Sequence, residues 1–231
     1  MIKAIFFDFN GVIIDDEPIQ LLAYQEVFKA EGITLTKEDY YGSLGMSDVY
    51  FVRAAFERAG RELGSDTLQS LIEDKTALHG KMIERELPLF PGVENFVTAA
   101  SREYSLGVVS MARRVEIDEV LERARLNDFF GVVVSAEDVE TCKPDPACYL
   151  KGFSLLNAKR RIEGASEVAS NECLVIEDAP PGILAGRSAG MRTIGVTNTV
   201  GEDALRSAGA DVVTKSLFDW NTDAIRRLFD D

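Results

Sequence analysis

Ala4-Ile5-Phe6-Phe7-Asp8-Phe9-Asn10-Gly11-Val12 is the stretch that decides the fold. Four consecutive apolar residues run straight into a carboxylate, with no polar–apolar alternation. Such a run suits a strand buried on both faces, as in a parallel sheet covered by helices. Asp8 then stands at the strand's carboxyl end, and Gly11 permits a tight turn that carries backbone N–H groups toward a ligand. A carboxylate in that place can attack phosphorus or carbon and form a covalent intermediate. Taken alone, the stretch also allows a plainer reading, an aspartate that caps a turn.

The pattern recurs outward along the chain. Residues 106–109 run into Ser110, residues 132–134 into Ser135, and residues 174–176 into Glu177-Asp178, while 193–196 and 211–213 repeat the apolar run. Segments such as 115–124 and 183–189 read as helices, and Pro91-Gly92 and Pro180-Pro181-Gly182 mark loops entering helix starts. Strand and helix alternate, which predicts an α/β fold with an open, doubly wound, mainly parallel sheet. Ligands of such sheets bind beyond the carboxyl ends of the strands. Asp8, Ser110, Lys143 and Glu177-Asp178 are therefore expected on one rim.

Spacing locates an insertion. Ser110 and Lys143 are 33 residues apart, and Lys143 and Asp178 are 35 apart, each about one strand–helix unit. Asp8 and Ser110 are 102 apart, which leaves about 70 residues beyond one unit. Residues 17–86 show helical periodicity (Leu21, Leu22, Val27, Phe28; Val52, Ala55, Phe56; Leu68, Leu71, Ile72) and no strong strand pattern. The expected division is a core of residues 1–16 and 87–231 with a helical cap of residues 17–86 over the rim.

Composition narrows the function. The 231 residues are 46% hydrophobic and carry 39 acids against 25 bases, a net charge of −14. That field disfavours nucleic acid and anionic membranes as partners. An anionic substrate would need a local cation to offset it. Three cysteines with no CxxC spacing predict reduced thiols rather than disulfides or a zinc cluster. No apolar run approaches the ~20 residues of a membrane span, and the start lacks the features of a signal peptide, so a cytoplasmic protein is expected.

Asp8-Phe9-Asn10-Gly11-Val12, Ser110, Lys143-Pro144-Asp145-Pro146 and Glu177-Asp178-Ala179-Pro180-Pro181-Gly182 together resemble the four motifs of the haloacid dehalogenase superfamily, in order and over nearly the whole chain. The insertion point resembles the β-phosphoglucomutase-like, helical-cap branch, which includes phosphoglycolate and sugar-phosphate phosphatases. The resemblance implies a Rossmann-like core and hydrolysis of a small phosphorylated metabolite by a monomer or weak dimer. Asp8 would be the nucleophile, forming an aspartyl-phosphate. Ser110 and Met111 would bind the phosphoryl oxygens, helped by N–H groups at the start of the following helix. Lys143 would hold Asp8 ionised and stabilise phosphoryl charge. Mg²⁺ would be held by Asp8, the carbonyl of Asn10, Asp178 and Glu177.

Three positions depart from that family's pattern. Its phosphatases and mutases carry a general-acid aspartate where this chain has Asn10, and an amide cannot donate a proton to a leaving alkoxide. General acid–base catalysis is worth about 10²–10⁴-fold. Asn10 leaves three readings: a trap, action on esters with good leaving groups, or phosphoester binding without turnover. In the cap, Gln20 stands near the branch's usual histidine, and Asp48 follows Gly45-Met46-Ser47 where mutases carry an arginine. A mutase is thus disfavoured. Gln20, Ser47 and Lys75 are the cap candidates for substrate contact. His79 is expected on the cap surface. Arg113 and Arg114 are either near the site or at a solvated helix start.

Overall fold

The computed structural model describes residues 1–218 and 220–229. Strand β1 (Ala4–Phe7) leads into four helices, α1 (Glu17–Ala30), α2 (Lys37–Tyr41), α3 (Asp48–Arg58) and α4 (Ser65–Ile83). The chain returns through α5 (Val93–Ala100) to β2 (Ser105–Val109). It continues through α6 (Arg114–Arg123), β3 (Phe130–Val134), α7 (Ala147–Ile162), β4 (Cys173–Glu177) and α8 (Pro180–Ser188). Strand β5 (Arg192–Val196), α9 (Glu202–Ser207), β6 (Val212–Thr214) and α10 (Thr222–Phe229) complete it. The six strands pair in parallel in the order β3-β2-β1-β4-β5-β6, a doubly wound, Rossmann-like sheet.

The unbroken apolar runs are explained by burial on both faces. Ala4 and Phe6 of β1 pack with Val109, Tyr149 and Val175 on one side. Ile5 and Phe7 pack with Phe96, Ile117 and Ile176 on the other. Phe7 lies opposite Val108 of β2 and Ile176 of β4. That register brings the ends of the three central strands level and gathers their polar successors at one rim.

Most boundaries shift by one or two residues, and two of the differences bear on the site. Glu177 is the last residue of β4 and is buried, so only Asp178 lies beyond the strand end. The helix expected over 183–189 starts at Pro180, because the first helical turn does not need the N–H groups that Pro180 and Pro181 lack.

Helices α1–α4 have a hydrophobic cluster of their own, including Leu21, Phe28, Phe51, Phe56 and Leu71. The two segments joining them to the sheet run side by side: the Asp15 N–H donates to the Pro88 carbonyl (2.7 Å), and the Phe90 N–H to that of Ile13 (3.1 Å). Among the described residues no helix is long and apolar enough to cross a membrane.

Candidate active site

At the rim, the Lys143 ammonium lies 2.9 Å from Asp8 Oδ1 and 2.6 Å from Glu177 Oε1, and donates to the Val109 carbonyl (3.3 Å). Local sequence sets this up. Asp145 accepts the Ala147 N–H (2.9 Å) at the start of α7, anchoring the loop that carries Lys143. The same first turn of α7 supplies Tyr149, whose hydroxyl donates to Glu177 Oε1 (2.8 Å). Burial alone would lower the Lys143 pKa, but the Asp8 and Glu177 carboxylates outweigh it and keep the ammonium charged.

The carboxylates show the opposite balance. Burial first, then the Glu177 charge, push Asp8 up to about 7 despite Lys143. Asp178 is raised well above its ordinary value by burial, then by Glu177 and Asp8. Its Oδ2 is buried without a hydrogen-bond partner. Asp8, Glu177 and Asp178 each offer an oxygen within 4.8 Å of the others. Two buried carboxyls that resist ionising, Asp8 and Asp178, and an orphaned oxygen are what a hard dication would relieve. Glu177 differs from its two neighbours. Its Oε1 accepts from Lys143 and Tyr149, and its Oε2 from the Asp178 N–H (3.2 Å).

Gly11 makes this approach possible. Its φ is +75°, and a Cβ there would lie 1.9 Å from Asp178 Oδ2. Gly11→Ala should therefore cost at least the ~1–2 kcal/mol of left-handed backbone in a non-glycine residue and also displace Asp178. Urea denaturation that matches the unaltered protein would contradict the close approach.

A cavity of about 90 Å³ lies between this rim and α1–α4. Asp8, Asn10, Ser110, Met111 and Lys143 line it from below; Gln20 and Lys75 line it from the cap. Ser47 does not. Its N–H is turned toward Cys142 Sγ at 3.2 Å, and the cap loop meets the core there. The expected N–H groups at the start of α6 are also partly committed, since Arg114 N–H donates to the Glu137 carboxylate (3.1 Å). Arg113 reaches Thr76 (3.1 Å), and Arg114 pairs with Asp138 (2.7 Å); neither lines the cavity.

Asn10 Nδ2 donates to both oxygens of Asp16, at 2.9 and 3.0 Å. The same Asp16 carboxylate meets Gln20 Nε2 (3.1 Å) and His79 Nε2 (2.8 Å). His79 is thus buried beneath the cavity, not on the cap surface, because one turn of α4 stacks it below Lys75 toward the entry to α1. Lys75 in turn contacts Asp48 (2.9 Å), Glu116 (2.8 Å) and Gln20 Oε1 (3.3 Å). Burial alone would lower its pKa, but Asp48 and Glu116 outweigh that and keep it charged.

Sequence reading missed Tyr24, Tyr40 and Glu116, which line the cavity together with Glu17. Tyr24 OH donates to Asp48 (2.6 Å) and Tyr40 OH to Glu17 (2.6 Å). Burial, then the neighbouring Asp16, push Glu17 up to about 7. Two signals could have found this wall: Gln20 and Tyr24 on α1, and Lys75 and His79 on α4, are each i,i+4 polar pairs on one helix face.

Residues 5–196 match the model of the haloacid dehalogenase-like hydrolases. The chain is 31% identical over 202 residues to the putative phosphatase YhcW of Bacillus subtilis, covering 87% of this chain and 86% of that one. It is 27% identical over 223 residues to hexitol phosphatase B of Escherichia coli, covering 94% and 93%. It also matches the chloroplastic protein SUPPRESSOR OF QUENCHING 1 of Arabidopsis thaliana, at 29% over 223 residues, but spans only 20% of that protein's length. A β-phosphoglucomutase structure from Clostridium difficile shares the fold, with a TM-score of 0.86 at 23% identity, over 100% of this chain and 98% of the other. The match over most of the chain, on a sheet whose rim gathers Asp8, Ser110, Lys143 and Asp178, places the protein in the haloacid dehalogenase-like hydrolase family.

Proposed function

We propose that this hydrolase cleaves phosphate monoesters of sugars and similar small metabolites through an aspartyl-phosphate on Asp8. The observation that carries the reading is Lys143 bridging Asp8 and Glu177 beside the orphaned Asp178 oxygen. The name of hexitol phosphatase B supports the substrate class, and that of YhcW the phosphatase activity. Asp8 attacks phosphorus, and the bond from phosphorus to the alcohol oxygen breaks. Water then cleaves the aspartyl-phosphate and restores the carboxylate. Lys143 neutralises charge on Asp8 and on the phosphoryl group, and the Ser110 hydroxyl and the Met111 turn orient that group. Mg²⁺ would be held by Asp8, Asp178 and the Asn10 carbonyl, and when bound supplies positive charge to the phosphoryl oxygens. Glu177, with both oxygens already engaged, chiefly holds Lys143. The aliphatic alkoxide that leaves needs a proton, and Asn10 supplies none, so turnover is slow for such esters and faster for aryl and acyl phosphates.

Phosphate release from a panel of hexose, hexitol and aryl phosphates, with Mg²⁺ and with EDTA, tests the reading. Mg²⁺-dependent release that vanishes in Asp178→Ala is expected, and release indifferent to both would overturn it.

The raised carboxyls give a second check. Asp8 binds its proton more tightly folded, at about 7, than unfolded, at 3.8. A raised carboxyl pKa makes the folded state the better proton binder, so metal-free stability falls as pH rises from about 4 to 7. The slope is up to about 1.4 kcal/mol per pH unit for each such group. Melting temperature in EDTA should drop between pH 5 and 8, and Mg²⁺ should flatten the drop. Parallel curves would argue against metal at these carboxylates.

A further inference from the structure

We infer, on the reading of this site as a phosphomonoesterase, that the cavity prefers esters whose alcohol portion carries a protonated amine over matched esters bearing a hydroxyl or a carboxylate. The cap end of the cavity is built from acceptors. Among the described residues lining it, the charged groups away from Asp8 and Lys143 are Glu17, Asp48, Lys75 and Glu116, three carboxylates against one ammonium. Lys75 has three N–H donors, and it meets three acceptors, Asp48, Glu116 and Gln20. It has no direction left for a substrate anion.

The neutral donors are committed as well. Tyr24 donates to Asp48, Tyr40 to Glu17, and the Gln20 amide to Asp16. Glu116 is the independent pointer to a ligand. Its side chain is only 3% exposed, one oxygen holds Lys75, and Oε2 has no hydrogen-bond partner. A buried carboxylate oxygen left unpaired is costly, and a donor that also carries positive charge removes both the vacancy and the local charge excess. A hydroxyl fills the vacancy but leaves the charge. A carboxylate or second phosphate meets Asp48 and Glu116, and a Glu17 already held up near 7, with no free cation.

The test compares kcat/KM, with Mg²⁺ present, for 2-aminoethyl phosphate, 2-hydroxyethyl phosphate and phosphoglycolate, and for glucosamine 6-phosphate against glucose 6-phosphate. The amine should exceed the hydroxyl by roughly tenfold, the size of one charge-assisted hydrogen bond, with the carboxylate poorest. Glu116→Gln should bring the amine-to-hydroxyl ratio close to one. Because the ratio is taken within one protein sample, a loss of folded fraction cancels. A ratio near one in the unaltered protein, or an unchanged ratio in Glu116→Gln, overturns the inference. If no ester is hydrolysed, including an aryl phosphate, the phosphomonoesterase reading fails by itself. Calorimetric affinities of the same esters with Mg²⁺ then decide the inference, with amine tightest expected and equal affinities overturning it.

Discussion

Asn10→Asp should raise turnover of an alkyl phosphate by about 10²–10⁴-fold, the usual worth of a positioned general acid and base. The gain should be confined to esters with poor leaving groups, because an aryl oxide departs without a proton. The structure adds a cost. Asn10 donates to both oxygens of the buried Asp16, so a second carboxylate would face the first at hydrogen-bond distance. Two carboxylates so close share a proton and raise one pKa. Asn10→Asp should therefore lower the melting temperature at alkaline pH, and adding Asp16→Asn should restore it by returning the donor from the other side. Steady-state rates on an alkyl and an aryl phosphate, with melting curves on both variants, check this. An unchanged alkyl rate in Asn10→Asp would place the proton donor on another cavity group. Glu17, pushed up to about 7 and hydrogen-bonded to Tyr40, would then be the first to replace.

Asp8→Asn should abolish hydrolysis of every ester, by about 10⁴–10⁶-fold, the scale seen when a nucleophile is removed. The fold should survive. Lys143 keeps its 2.6 Å contact with Glu177 and its bond to the Val109 carbonyl, and a buried charge that helps to raise Asp178, after burial and Glu177, is removed. A higher metal-free melting temperature together with lost phosphate release is the expected pair. Retained phosphate release would show that water attacks the ester directly.

The rim was legible because its chemistry sits at strand ends. Period and burial locate a strand, and the residue after the strand is then placed by geometry alone, as with Asp8, Ser110 and Asp178. The cap wall was not legible in the same way. Glu17, Gln20, Lys75, His79 and Glu116 come from α1, α4 and α6, and meet only because the helices stack across the cavity. A helical period tells which face is apolar but not which polar residue is drawn beneath it. His79 was therefore expected at the surface, yet it is buried on Asp16. Ser47 was expected toward substrate, yet the loop turns its N–H to Cys142. Lys75 lines the cavity, but its pairing with Asp48 and Glu116 depends on contacts 27 and 41 residues away in sequence.

The most direct test of covalent catalysis is mass spectrometry of the protein quenched in acid soon after mixing with an acyl or aryl phosphate and Mg²⁺. Activated esters load the nucleophile without a general acid, and Asn10 leaves no base to speed hydrolysis of the adduct, so phosphoprotein should accumulate. One phosphoryl group per chain is predicted, mapped by peptide digestion to Asp8 and missing in Asp8→Asn. Steady phosphate release with no adduct at any quench time, or an adduct on a residue other than Asp8, would contradict the account.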